Sequence, residues 1–190
     1  GFVSCTKQDE PANDQEGPVL KVKPNPTAVP SGSAYDKAKL DQMVISTLEG
    51  RNDFQWEMVD LKTLWSALHY GDQSLAIGYK PASEGDISGK IHTVNVKSVA
   101  YKQVHDALIE LILSELNAGR TTKVTLADIL VEDDPVLPIL TIKLTNKEVL
   151  TKLYNLENVR YLEPLDYWPN DPNRSSSGCS ASTEALNTAD

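Results

Sequence analysis

Apolar residues recur along this chain in two rhythms, and the switches between them mark out the elements. Leu40, Met43, Val44 and Leu48 fall at the three-and-four spacing of a helix face beginning near Tyr35, with Gly50 beyond them as a stop. Leu61, Leu64, Trp65 and Leu68 repeat the pattern; Asp60 stands where a carboxylate caps free amides, and Gly71 where the chain turns out of the helix. From Gln73 to Lys80 the period drops to two, with Leu75, Ile77 and Tyr79 on one face and Pro81 closing a strand. Gly85 and Gly89 permit turns in the loop that follows, and Ile91 to Val96 predicts an additional short strand. Ser98 opens the longest helix, lined on one side by Val104, Leu108, Leu111, Ile112 and Leu116 and ended by Gly119. Val124 to Val131 and Ile139 to Leu144 predict two strands joined by the acidic loop Glu132-Asp133-Asp134-Pro135. Thr145-Asn146-Lys147-Glu148 fits a capping box for a helix ending near Asn155, and Val159 to Glu163 gives the last strand.

From Gln73 onward the order is strand, helix, strand, strand, helix, strand. That is the α+β class in its ferredoxin-like, split βαβ form: an antiparallel sheet with two helices on one face. A small helical extension at 35–72 precedes the domain at 73–167 and packs on its core. The Pro-rich polar stretch before Tyr35 predicts a disordered tether over 1–34, and Pro169, Pro172, the serines and Gly178 predict a flexible tail over 168–190.

Charge and composition narrow the function classes. A formal net charge of −9 disfavours nucleic acid, whose phosphates need basic side chains in place of their counterions. No apolar run approaches the roughly 18 residues of a membrane-spanning helix. His69, His92 and His105 lack the paired spacing of helical zinc motifs, and their ordinary roles are structural. Cys179, in Ser177-Gly178-Cys179-Ser180, has neither the elbow of an esterase nor the neighbours that lower a thiol pKa. Glu132-Asp133-Asp134 and the acidic stretch from Asp166 to Asn173 do not follow the spacing of a calcium loop, so a solvated turn is the simpler reading. The chain therefore predicts no catalytic residue, no metal and no cofactor.

Cys5 follows Phe2-Val3-Ser4 and precedes the polar Thr6-Lys7-Gln8-Asp9-Glu10. This resembles the cut end of a bacterial lipoprotein signal, and the acidic run after it resembles the export signal of Bacteroidetes surface lipoproteins. The resemblance implies lipidation at Cys5 and a cell-envelope location, at the outer membrane or cell surface, anchored by lipid alone. The alternative is an incidental free cysteine.

The stretch from Pro138 to Asp166, with Leu-Thr-Ile-Lys-Leu-Thr, a capped helix and then Val-Arg-Tyr-Leu-Glu-Pro, resembles the end of the ferredoxin-like prodomains of subtilisin-type serine proteases. The block from Phe54 through Leu68, followed by Ala76-Ile77-Gly78-Tyr79, is similar to the front of secreted Bacteroidetes peptidases of that type. In that family the prodomain lays the open face of its sheet on two protease helices and its C-terminal tail along the substrate cleft. The resemblance implies a non-catalytic folding template and inhibitor whose partner is a subtilisin-like protease domain, in cis or in trans. It also implies a partner-binding set of Tyr161, Glu163, Asp166, Tyr167 and Trp168, with Glu163 capping a protease helix and the tail starting at Tyr167. The family's second acid, two residues on, is replaced here by Leu165, with Asp166 one place later and Pro164 between. Motifs of the serine-protease triad are absent from the sequence: no Asp-Ser/Thr-Gly, His-Gly-Thr or Gly-Thr-Ser-Met-Ala. Two further readings stand beside this one: a non-catalytic surface lipoprotein binding a partner or ligand through its ferredoxin-like domain, and an independent hydrolase.

Overall fold

The computed structural model describes residues 18–49, 51 and 53–170; Cys5, Cys179 and the stretch beyond Asn170 lie outside the described residues. The elements run α1 (Lys37–Leu48), α2 (Leu61–Tyr70), β1 (Ser74–Tyr79), α3 (Val99–Leu116), α4 (Leu126–Ile129), β2 (Leu130–Asp133), β3 (Ile139–Lys143), α5 (Lys147–Tyr154) and β4 (Val159–Pro164). Short 3-10 turns lie at Trp56–Met58 and Ser88–Thr93. The strands form one antiparallel sheet in the order β2-β3-β1-β4, so each βαβ crossover skips the strand that the other supplies. This is the ferredoxin-like arrangement that the alternation of periods predicts.

Strand pairing sorts the side chains. Leu75 faces Ile142 and Pro164, and Ile77 faces Leu140 and Leu162, so these share one side of the sheet. All are buried there beneath Val104, Leu108 and Ile112 of α3, Val149, Leu150 and Leu153 of α5, and Leu61, Leu64 and Leu68 of α2. Each such side chain is worth about 1.5–3 kcal/mol when fully removed from water. Because α2 contributes three leucines to this cluster, the helical extension shares its core with the sheet. A second cluster, of Leu40, Val44, Ala67 and Tyr167, holds α1 on α2.

The caps explain where helices begin. The Asp36 carboxylate accepts the Lys39 N–H at 3.0 Å, and Asp60 accepts that of Thr63 at 2.7 Å. For α5 the cap is Asn146, whose Oδ1 accepts the Val149 N–H at 2.9 Å; this replaces the expected Thr145 and Glu148 box. Leu165 donates its N–H to the Ser74 carbonyl at 3.0 Å, so Pro164 falls at a non-bonded position of the ladder. Its missing N–H therefore costs no bond to β1.

Three further expectations are corrected. The strand predicted over Val124 to Val131 is divided into α4 and the shorter β2, because Thr125 and Asp128 close a capping box. The Thr125 N–H and hydroxyl donate to the Asp128 carboxylate at 2.8 and 2.7 Å. Ile91 to Val96 is not a strand: a 3-10 turn covers Ser88–Thr93, and Ile91 and Val94 pack against the core from it. Residues 18–27, expected within a disordered tether, are bound to the turn between α5 and β4. Val22 bridges Leu156, the Lys23 N–H donates to the Asn155 carbonyl at 2.8 Å, and the Glu157 N–H to the Lys21 carbonyl at 2.8 Å. The reason lies in that turn: Asn155 and Asn158 are buried and take their partners from this segment.

Candidate partner-binding site

The sheet face away from the helices carries Ala76 and Gly78 of β1, Thr141 of β3 and Tyr161 and Glu163 of β4. Its centre is closed by small residues and one large ring. A Cβ on Gly78 would lie 2.2 Å from Tyr161 Cε1, so glycine is required for the ring to lie across β1. Burial raises the Tyr161 hydroxyl pKa, with the nearby Arg160 opposing the shift, and Ala76 and Thr141 are 6% and 4% exposed. Toward the β4 end the face changes character: Glu163 is exposed, and no cation is bonded to it among the described residues. Partial burial, then the charge of Glu57, pushes its carboxyl above the ordinary value of 4.5.

Glu163 stands between two grooves that share the Phe54 and Trp56 rings as a wall. One, of about 840 Å³, runs along β4 and carries both signs of charge, including Lys23, Glu57, Asp86 and Arg160. The other, of about 500 Å³, lies between the end of α1 and the chain leaving β4. It is walled by apolar and aromatic side chains, and its charged residues are Glu49 and Glu163.

The residues after Glu163 divide sharply. Asp166 is exposed, and its backbone passes close to Gly71, where a Cβ would lie 3.2 Å from the Asp166 carbonyl. Tyr167, expected to begin a cleft-occupying tail, is instead 6% exposed within the α1–α2 cluster. Its ring meets Trp56 edge-on with centroids 5.7 Å apart, and its hydroxyl donates to the Asp41 carboxylate at 2.5 Å. Lys37 completes the clasp, with Nζ 2.6 Å from Asp41 Oδ1, 4.9 Å from the Tyr167 ring centre and 3.2 Å from the Trp168 carbonyl. Burial, then the bond to Asp41, holds the tyrosine protonated well above its usual range. Burial alone would raise Asp41, but the bonds from Lys37, Tyr167 and the Asn170 backbone bring it below 3.8. Trp168 is 73% exposed. Of the five expected partner-binding residues, Tyr161 and Glu163 thus share the helix-free face, Asp166 and Trp168 are exposed at the chain's exit, and Tyr167 is a buried anchor.

Sequence reasoning missed Asp41, Lys37 and the apolar groove. The signal for the clasp is an aspartate beside Leu40 and Val44 on the packed side of α1, with a lysine four residues before it. The groove has no such local mark, because its walls come from three separate stretches.

The other polar clusters have structural partners. The two His105 ring nitrogens lie 3.0 and 3.1 Å from the carboxylates of Asp106 and Asp133, linking α3 to β2. Asp134 accepts the Val136 and Leu137 N–H groups at 2.8 Å each and so shapes the turn after β2. Among the described residues, no group of three or more His, Cys, Asp or Glu is placed to hold a metal ion, and no helix is long and apolar enough to cross a membrane. Comparison with protein-family models, curated proteins and solved structures found no match to the chain.

Proposed function

We propose that the chain serves as the prosegment of a subtilisin-like serine protease, a non-catalytic folding template and inhibitor that docks through its helix-free sheet face. One observation carries the reading: Glu163 is exposed at the end of β4, on that face, with no cation bonded to it among the described residues. A helix N-terminus offers unpaired N–H groups and the positive end of the helix dipole. Docked there, it would supply the hydrogen bonds that a carboxylate held above its ordinary pKa lacks. In this reading the inhibitory tail starts at Trp168, one residue later than the sequence resemblance implies, because Tyr167 is buried. In this reading Cys5 is lipidated, and the protease domain lies in the cell envelope, in cis or in trans.

The test pairs inhibition with the identity of the native polypeptide. The purified chain and its Glu163→Ala variant are titrated against a subtilisin-like peptidase from the source cells, with circular dichroism to verify that both fold. The parent is expected to inhibit, and the variant to be about two- to thirtyfold weaker, the scale of one lost charge–dipole contact. Absence of inhibition by the parent, together with a native polypeptide whose mass ends at Asp190, would falsify the reading. Equal potency of the two proteins would remove the capping role of Glu163.

A further inference from the structure

The apolar groove beside Glu163 differs from the sheet face in shape and chemistry. Val44 and Leu48 of α1, the Phe54 and Trp56 rings, and Leu165 and Trp168 give it a large apolar wall. Leu48, Leu165 and Trp168 remain 37%, 46% and 73% exposed around it, so the wall is open to a partner. Its volume of about 500 Å³ lies within the range of ligand sites, about 300–1,000 Å³.

The electrostatics select among occupants. Among the described residues, Glu49 and Glu163 are the charged ones lining the groove, and Glu49 also marks the C-terminal, negative end of α1. No basic residue lies in the last turn of that helix. Among the described residues no cation lines the groove: Lys37 is bonded to Asp41 and the Trp168 carbonyl, and Arg51 lies outside the lining with its guanidinium 3.2 Å from Met58 Sδ. An anionic amphiphile would meet repulsion from both carboxylates. A neutral apolar occupant would strip water from them without replacing its hydrogen bonds, which is costly. A cation beside the apolar group offsets that cost.

We propose that this groove binds a peptide segment presenting one large apolar side chain next to a positive charge, from lysine, arginine or a free N-terminus. The inference rests on the walls and charges of the groove and not on the prosegment reading, although Glu163 and Trp168 belong to both surfaces.

The test uses the full chain and two probes, N-acetyl-Phe-Lys amide and its ε-acetyl-lysine counterpart, which differ in one charge. Binding is followed through the tryptophan indole N–H signals in NMR. Trp56 and Trp168 line the groove, whereas Trp65 packs beneath Lys147 and serves as an internal reference. The charged peptide is expected to shift Trp56 and Trp168 saturably, leave Trp65 in place, and bind about three- to tenfold more tightly than the neutral one, the scale of a partly desolvated ion pair. That preference should collapse in Glu163→Gln and in about 0.5 M salt, whereas Leu165→Ser should weaken both peptides alike. No saturable shift with either peptide up to about 10 mM overturns the proposal; so do equal affinities, or a preference that survives Glu163→Gln and salt. Loss of protease inhibition with peptide binding intact would remove the prosegment reading alone.

Discussion

A methyl group on Gly78 would meet the Tyr161 ring 2.2 Å from Cε1, so the smallest residue of β1 and the largest of the sheet's outer face specify one another. Gly78→Ala is expected to lower stability by about 1–3 kcal/mol, the usual cost of overpacking. In a Tyr161→Ala background much of that loss should vanish; additive urea-unfolding free energies would show that the ring is not the obstacle. Glu163 makes the opposite kind of prediction. Its folded pKa lies above the ordinary 4.5, so the folded state disfavours the ionised carboxylate. Glu163→Gln should therefore be more stable than the parent at pH 7, and this gain should disappear as pH falls below the unfolded pKa and both states hold the proton. Thermal unfolding at pH 7 and at about pH 3 checks the sign.

Among the elements, the segment 18–27 is held by two asparagines of the turn between α5 and β4, with Leu20 packed against the core beside them. Asn158 is fully buried: it accepts the Lys21 N–H at 2.8 Å and donates to the Val19 and Lys80 carbonyls at 3.1 and 3.3 Å. Asn158→Ala is expected to cost about 1–3 kcal/mol through the partners it leaves unpaired. Hydrogen exchange should then quicken at Lys21 and Lys23 before it does in β1; unchanged protection there would mean that the segment is held by other contacts. This is also where legibility from sequence stops. α2, α3 and the strand order could be read in advance because their signals are local: Asp60 and Gly71 bracket a run of leucines, and Leu75, Ile77 and Tyr79 alternate. Docking of residues 18–27 could not, since it uses backbone groups that every residue carries. Val124 to Val131 was ambiguous in period over so short a run, and the decision fell to one hydroxyl and one carboxylate, Thr125 and Asp128. Tyr161 and Glu163 came from the resemblance alone, and the structure has them two residues apart on one face of β4. The groove beside them was not legible, because α1, the Phe54–Trp56 stretch and the residues after β4 meet only in the folded chain.

At the scale of the whole molecule, the Asp41–Tyr167–Lys37 clasp joins the first helix to the end of the last strand. The Asp41 pKa is lower in the fold than the ordinary 3.8, so its contribution is complete above that value and fades as pH falls through the lower folded one. Tyr167→Phe removes one of the bonds that keep it low. It should cost about 1–3 kcal/mol at neutral pH and move the acid-induced release of α1 to higher pH. Near-ultraviolet circular dichroism, sensitive to the Trp56–Tyr167 contact, would follow the release; an unchanged acid midpoint would show that the hydroxyl does not support Asp41. The clasp also has a mechanical side. Tension arriving along the chain from beyond Asn170 meets the Tyr167 ring, wedged between α1 and α2, before it reaches the hydrogen bonds of β4. The edge strand is thus protected from being unzipped at its own end, much as a cable is relieved of strain by a clamp placed ahead of its joint.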